Sequence, residues 1–181
     1  MRTNRTSPFL RDKIKNLNSL KKIVSRLKKQ GKKLVFTNGC FDILHYGHAK
    51  YLEDAKRKGD ILIVGVNSDQ SVRRIKGNKR PIVNESDRIS LIAALESVDY
   101  TVLFNQDTPI KVIETLKPNI LVKGADWRKG NIIGEDIVSK SGGKVVRIKL
   151  VAGRSTSNII KKIAKMWSEL FFDSYIEHDK K

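Results

Sequence analysis

The stretch "DILIVGVN", residues 60–67, constrains the fold more than any other. It is apolar without alternation, so both of its faces must be covered. That is the pattern of a strand inside a parallel sheet. Similar short runs recur at "KLVFTNG" (33–39), "YTVLF" (100–104), "NILVKG" (119–124) and "KVVRIKL" (144–150). Helical segments fall between them. Residues 46–58 close at Gly59, residues 86–96 follow Ser86 as a cap, residues 108–118 carry a proline at the first turn, and residues 131–143 end in glycines. Before the first strand, residues 9–30 place apolar side chains at spacings of three and four and predict one amphipathic helix. After the last, residues 155–172 predict another, capped by Ser155. Alternating β and α at this spacing gives an α/β fold: a Rossmann-like, doubly wound, parallel five-stranded sheet with helices on both faces, plus an N-terminal helix. The division expected is a helical extension over 1–30, one domain over 31–172 and a frayed tail over 173–181.

A parallel sheet binds its ligand at the C-terminal ends of its strands. Four segments lie there: 38–48, 67–83, 123–128 and 151–158. The second belongs to a polar, basic connection over 68–86, long enough to suggest function.

The chain has 181 residues, enough for one sizeable core. Its net charge of +18 and pI near 10.1 suit anionic ligands. Aromatic residues are only 7% and no basic–aromatic stripe stands out, so nucleic acid is not the expected partner. There is no apolar run of membrane-spanning length and no apolar core to the basic N-terminus, so neither membrane span nor secretory signal is expected. The lone Cys40 cannot form an internal disulfide, and a reducing cytoplasm fits it.

Two of the three histidines, His45 and His48, flank Gly47 where the first strand gives way to a helix. They could be structural. A metal site would need further ligands, which no cysteine cluster or HExxH spacing supplies, so no metal site is expected. They could instead hold phosphate, since free N–H groups and the helix dipole attract anions there, and Gly47 leaves room for close approach.

The context decides among these. "NGCFDILHYGH" (38–48) resembles the G-x-F-D-x-x-H-x-G-H signature of the HxGH nucleotidylyltransferase superfamily. "RIKGNKRPIVNESDRISLIAALESVD" (74–99) resembles the sugar-phosphate loop and helix of its cytidylyltransferase-like branch. "LVKGADW" (121–127) resembles the segment near the base, and "GRSTSNIIKKI" (153–163) the phosphate-binding helix start. The likeness spans about residues 30–165 and is greatest to the adenylyltransferase half of bifunctional bacterial heptose kinase/adenylyltransferases.

That resemblance implies nucleotidyl transfer from ATP to D-glycero-β-D-manno-heptose 1-phosphate, giving ADP-heptose and pyrophosphate for lipopolysaccharide or surface-glycan precursors. Mg2+ would arrive with ATP, and a homodimer is expected. The alternatives are a cytidylyltransferase for glycerol 3-phosphate or another polyol phosphate, and a non-enzymatic nucleotide- or nucleic-acid-binding protein on the same fold. By the same resemblance His45, His48, Lys79 and Arg88 are the catalytic candidates. Asn38, Gly39, Cys40, Phe41, Gly47, Gly124, Asp126, Ser155, Thr156 and Ser157 are the nucleotide-binding ones. Asp42, Lys76 and Arg80 fall on the acceptor side, with bracing of the loop as Asp42's rival role. Arg154 and Trp127 depart from the family pattern.

Overall fold

The computed structural model describes residues 8–125 and 132–178, with side chains of the last helix as far as residue 168. Thirteen elements occur among them: α1 (Pro8–Lys13), α2 (Leu17–Lys29), β1 (Leu34–Gly39), α3 (Tyr46–Lys56), β2 (Ile61–Asn67), α4 (Asp69–Lys76), α5 (Glu85–Ala94), β3 (Tyr100–Phe104), α6 (Ile110–Leu116), β4 (Ile120–Gly124), α7 (Glu135–Lys140), β5 (Lys144–Ile148) and α8 (Thr156–His178). The five strands form one parallel sheet in the order β3-β2-β1-β4-β5.

The central strands are buried on both faces, as their unbroken apolar runs require. Val35, Leu62, Val64 and Val122 turn to one side, where Leu52 and Ala55 of α3 and Ile89 and Ile92 of α5 cover them. Leu34, Phe36, Ile63 and Leu121 turn to the other, under α2, α6 and α7. The strand order reverses between β1 and β4, the position where such sheets open a ligand crevice. β1 pairs with β2 along its whole length, from Leu34↔Ile61 to Gly39↔Val66. With β4 it pairs only at Val35↔Ile120 and Phe36↔Leu121. Asn38 and Gly39 thus pair with β2 but not with β4.

Several local features differ from the sequence expectation. The helix expected over 9–30 is two helices. Ile14 leaves the helical path to bridge Thr101 beside β3, Lys15 N donates to Thr101 O (2.9 Å), and Asn16 restarts the helix by accepting from Ser19 N (2.8 Å). The polar connection over 68–86 contains α4, capped by Ser68, with only Ser71 and Val72 buried. So narrow a face leaves no periodic apolar signal. Asn84, not Ser86, caps α5, accepting from Asp87 N (3.0 Å). The last helix continues past residue 172 to His178, and no helix among the described residues is long and apolar enough to cross a membrane.

The segment before β1 is not a loose appendage. Leu20 is fully buried and Val24 nearly so, in the cluster beneath β1 and α6. Leu20→Ala is expected to destabilise the protein by about 2–5 kcal/mol through lost burial and a residual cavity. Urea denaturation measures this, and an unchanged midpoint would show that α2 contributes nothing to the core.

Candidate active site

The end of β1 sets the site. Thr37 Oγ1 and Tyr51 Oη lie 2.8 Å apart in the core and tie β1 to α3. Two residues beyond β1, Phe41 takes a left-handed backbone (φ +48°), rare for a bulky side chain. The turn buries its ring under Gly39. A Cβ on Gly39 would come within 3.1 Å of that ring, so any larger residue would push the ring aside.

The same ring meets His48 edge-on at 5.2 Å, and His48 stacks on His45 with centroids 3.8 Å apart and 20° between planes. His45 occupies the N-cap position of α3, yet its ring makes no capping bond. A Cβ at Gly47 would lie 3.0 Å from the His45 ring and 3.1 Å from Arg154 Cβ. Gly47 therefore lets His45 and the start of α8 pack together, a reason beyond the open approach expected from sequence. The Nδ1 atoms of both histidines are buried without a hydrogen-bond partner among the described residues. Burial, and then the neighbouring His45, lowers the His48 pKa to about 4. Burial and then Arg154 lower that of His45. Both rings are neutral at pH 7, each with one N–H to donate.

A cavity of about 490 Å³ opens above this pair, the size of a small-molecule site. Asn38, Gly39, Cys40, Phe41, Gly47 and both histidines line it beside Gly124. So do Ser155, Thr156 and Ser157, which open α8. Ser155 Oγ accepts from Asn158 N (3.1 Å), and Thr156 Oγ1 reaches Ile43 O at 3.5 Å. The start of α8 thus touches the loop leading into α3, and two helix N-termini converge on one cavity. Burial pushes the Cys40 thiol up, so it stays protonated. Asp126 lies outside the described residues, as does Trp127.

On the acceptor side Lys76 and Arg80 line the cavity. Asp42 lines it too, with Oδ1 hydrogen-bonded and Oδ2 ion-paired but making no hydrogen bond among the described residues. Oδ1 accepts from Ile82 N (2.7 Å) and Val83 N (2.9 Å), and Oδ2 faces Arg80 Nε at 2.6 Å. These contacts tie the segment 80–83 to the loop after β1.

Two catalytic candidates stand elsewhere. Lys79 is exposed and outside the lining. Arg88 is 1% exposed and also outside it. Its guanidinium donates to Val83 O (2.9 Å), Cys40 O (2.5 Å) and Asp69 Oδ1 (2.7 Å). All three partners are protein groups, and through them it joins the loops that line the cavity.

Sequence reasoning misses Lys123, Asn67 and Asp107, and has no account of Arg154; all four line the cavity. Lys123 is 6% exposed and donates to Asn38 Oδ1, joining the ends of β4 and β1. It sits inside the "LVKGADW" segment, and Asn67 ends β2, so position at a strand's C-terminus is the available signal. Among the described residues no three His, Cys, Asp or Glu side chains are grouped to hold a metal.

The comparisons with known proteins agree with this architecture. Residues 36–166 match the model of the cytidylyltransferase-like family, and the chain belongs to that family. Curated relatives include Bifunctional protein HldE of Geobacter metallireducens, 54% identical over 157 residues, which cover 87% of this chain and 32% of the relative. The protein of the same name from Citrifermentans bemidjiense is 56% identical over 151 residues, covering 83% and 31%. The chain thus spans about a third of the length of these relatives. Among solved structures, a lipopolysaccharide core biosynthesis protein from Thermoplasma volcanium superposes with a TM-score of 0.58 at 35% identity, covering 67% of this chain and 99% of that one. A pantoate-beta-alanine ligase from Francisella tularensis, at TM-score 0.53 and 19% identity, covers 80% and 69% and shares the fold.

Two outcomes are expected. Arg88→Met strands two part-buried carbonyls and Asp69, and should cost about 3–5 kcal/mol in urea denaturation; a loss under about 1 kcal/mol would mean water replaces the clamp. His48 titrates near 4 when folded and at about 6.5 when unfolded. On acidification the unfolded chain takes up this proton first, so stability present above about pH 6.5 is lost as the pH falls toward 4. Urea midpoints of His48→Gln should fall less steeply across that window than those of the unaltered protein; parallel profiles would contradict the neutral, buried imidazole.

Proposed function

We propose that the chain is a nucleotidyltransferase that moves the adenylyl group of ATP to D-glycero-β-D-manno-heptose 1-phosphate. The observation that carries this reading is the stacked His45–His48 pair, set where the N-termini of α3 and α8 converge at the β1/β4 switch point. The similarity to Bifunctional protein HldE and to a lipopolysaccharide core biosynthesis protein favours the heptose acceptor.

In this reading an oxygen of the sugar phosphate attacks the α-phosphorus of ATP. The bond from that phosphorus to the α,β-bridging oxygen breaks, and pyrophosphate leaves with the Mg2+ that entered with ATP. The nucleophile is already an anion, so no general base is needed. The task is to hold two anions together and to stabilise the charge that moves toward the leaving group. Neutral His45 and His48 each donate one N–H to the triphosphate. The free amides of α3 and α8 add fixed positive dipoles. Lys76 and Arg80 offset the charge of the acceptor phosphate. Arg88 and Asp42 hold the loops that carry these groups, and exposed Lys79 adds to the positive field at the entrance.

Pyrophosphate release with Mg2+, crossing ATP, CTP and GTP against heptose 1-phosphate and glycerol 3-phosphate, tests the assignment. Turnover is expected with ATP and heptose 1-phosphate. CTP with glycerol 3-phosphate as the preferred pair would overturn the substrates and leave the reaction class. His48→Ala should lower kcat by about 100-fold or more, the usual loss for one donor aimed at developing charge. An active His48→Ala protein would remove the histidines from the chemistry.

A further inference from the structure

The end of β1 divides the cavity. Toward β4, β5 and α8 lie Lys123, Arg154 and the hydroxyls of residues 155–157; toward β2, β3 and α4 lie Lys76, Arg80, Asn67 and Asp107. Most charged groups in it are cationic, as phosphates require. Asp107 is the exception. Asp42, the other carboxylate of the lining, has both oxygens engaged by Ile82, Val83 and Arg80.

Asp107 is held from outside the cavity. Its Oδ1 accepts from Arg74 Nε (2.6 Å), and the same guanidinium donates to Asn105 O. Ser68 Oγ donates to Asn105 Oδ1 (2.6 Å), so α4 and its cap fasten the loop after β3 at several points. Oδ2 of Asp107 accepts from no described residue.

Asn67 is 3% exposed, and donor accounting settles how its amide points. Ser71 Oγ gives its one hydrogen to Gln106 O (2.9 Å). It must therefore accept from Asn67, whose Nδ2 lies 2.9 Å away. The donor end of the amide is engaged there, and Oδ1 is left without a partner among the described residues.

This end of the cavity thus offers two hydrogen-bond acceptors, one of them anionic. Directly beside Asp107 a phosphate is repelled and a group that brings O–H donors is matched, while Lys76 and Arg80 at the same end suit an anion. We propose that Asp107 and Asn67 are specificity-determining residues that read hydroxyl groups of the acceptor sugar, while Lys76 and Arg80 take its phosphate. The inference rests on the sugar-phosphate reading above and deepens it: the acceptor is a polyhydroxylated phosphate bound through its hydroxyls as well as its charge.

The test uses Asp107→Ala, Asp107→Asn and Arg74→Met in the full chain, with KM for ATP and for heptose 1-phosphate measured separately. The Asp107 side chain is 56% exposed, so folding is not at stake. Asp107→Ala should raise the acceptor KM about tenfold or more, the scale of a lost hydrogen bond to a charged group, with the KM for ATP within about twofold. Asp107→Asn should fall between, because its amide oxygen still accepts. Arg74→Met breaks the ion pair but keeps the carboxylate, and should lose less than Asp107→Ala. Equal effects of Arg74→Met and Asp107→Ala, or a joint rise of both KM values, would reduce Asp107 to a rim salt bridge and overturn the inference alone. No turnover of heptose 1-phosphate by the unaltered protein, or a preference for glycerol 3-phosphate, would overturn both this inference and the reading beneath it.

Discussion

A single guanidinium holds the working end of this sheet together. Arg88 of α5 is buried beneath the cavity and joins the carbonyl of Cys40 after β1, the carbonyl of Val83 before α5, and the carboxylate of Asp69 at the start of α4. These segments have few apolar side chains with which to find one another. A planar cation with donors in a fixed fork can satisfy three acceptors at once, and a lysine cannot match that geometry. Asp42 makes the complementary connection from the other side, accepting two backbone amides and facing Arg80. Together the two charges replace the hydrophobic packing that a polar loop of this length lacks.

Once the loops are fixed, the electrostatics of the site follow. The chain is strongly basic, yet the two groups nearest the expected chemistry are uncharged. Burial keeps both rings neutral, helped by the neighbouring His45 at His48 and by Arg154 at His45. The positive potential comes from the periphery: Lys76, Arg80, Lys123, Arg154 and the ends of α3 and α8. This arrangement attracts an anionic ligand without setting two repelling imidazolium ions 3.8 Å apart.

Much of this architecture is legible in the amino-acid sequence. The strand positions, the parallel sheet and the placement of the histidines after β1 follow from apolar runs and from the spacing of His45, Gly47 and His48. The glycines carry more than spacing reveals. Gly47 reads as an opening for a ligand and Gly39 as a nucleotide-binding residue; the fold also packs His45 with Arg154 against the first and the Phe41 ring against the second. Arg88 reads as a phosphate ligand, but its partners are the loops. Its reach depends on which side of α5 is buried, and a charged residue in an otherwise amphipathic helix reads as exposed. α4 escapes sequence reasoning because a helix that buries only Ser71 and Val72 lacks an apolar stripe.

The sequence by itself determined the class of sheet, the strand ends that open on the cavity and the family motifs that line it. Those properties are local, written in runs and spacings a few residues long. The tertiary structure alone decided which of the many charges face the cavity and which are consumed as braces. It put Lys76 and Arg80 in the cavity wall, Arg80 also pairing with Asp42, left Lys79 and Arg88 outside it, and added Lys123 and Asp107. The physical reason is that a charged side chain takes its role from its partners, and in this fold those partners are brought together by strand order rather than by sequence.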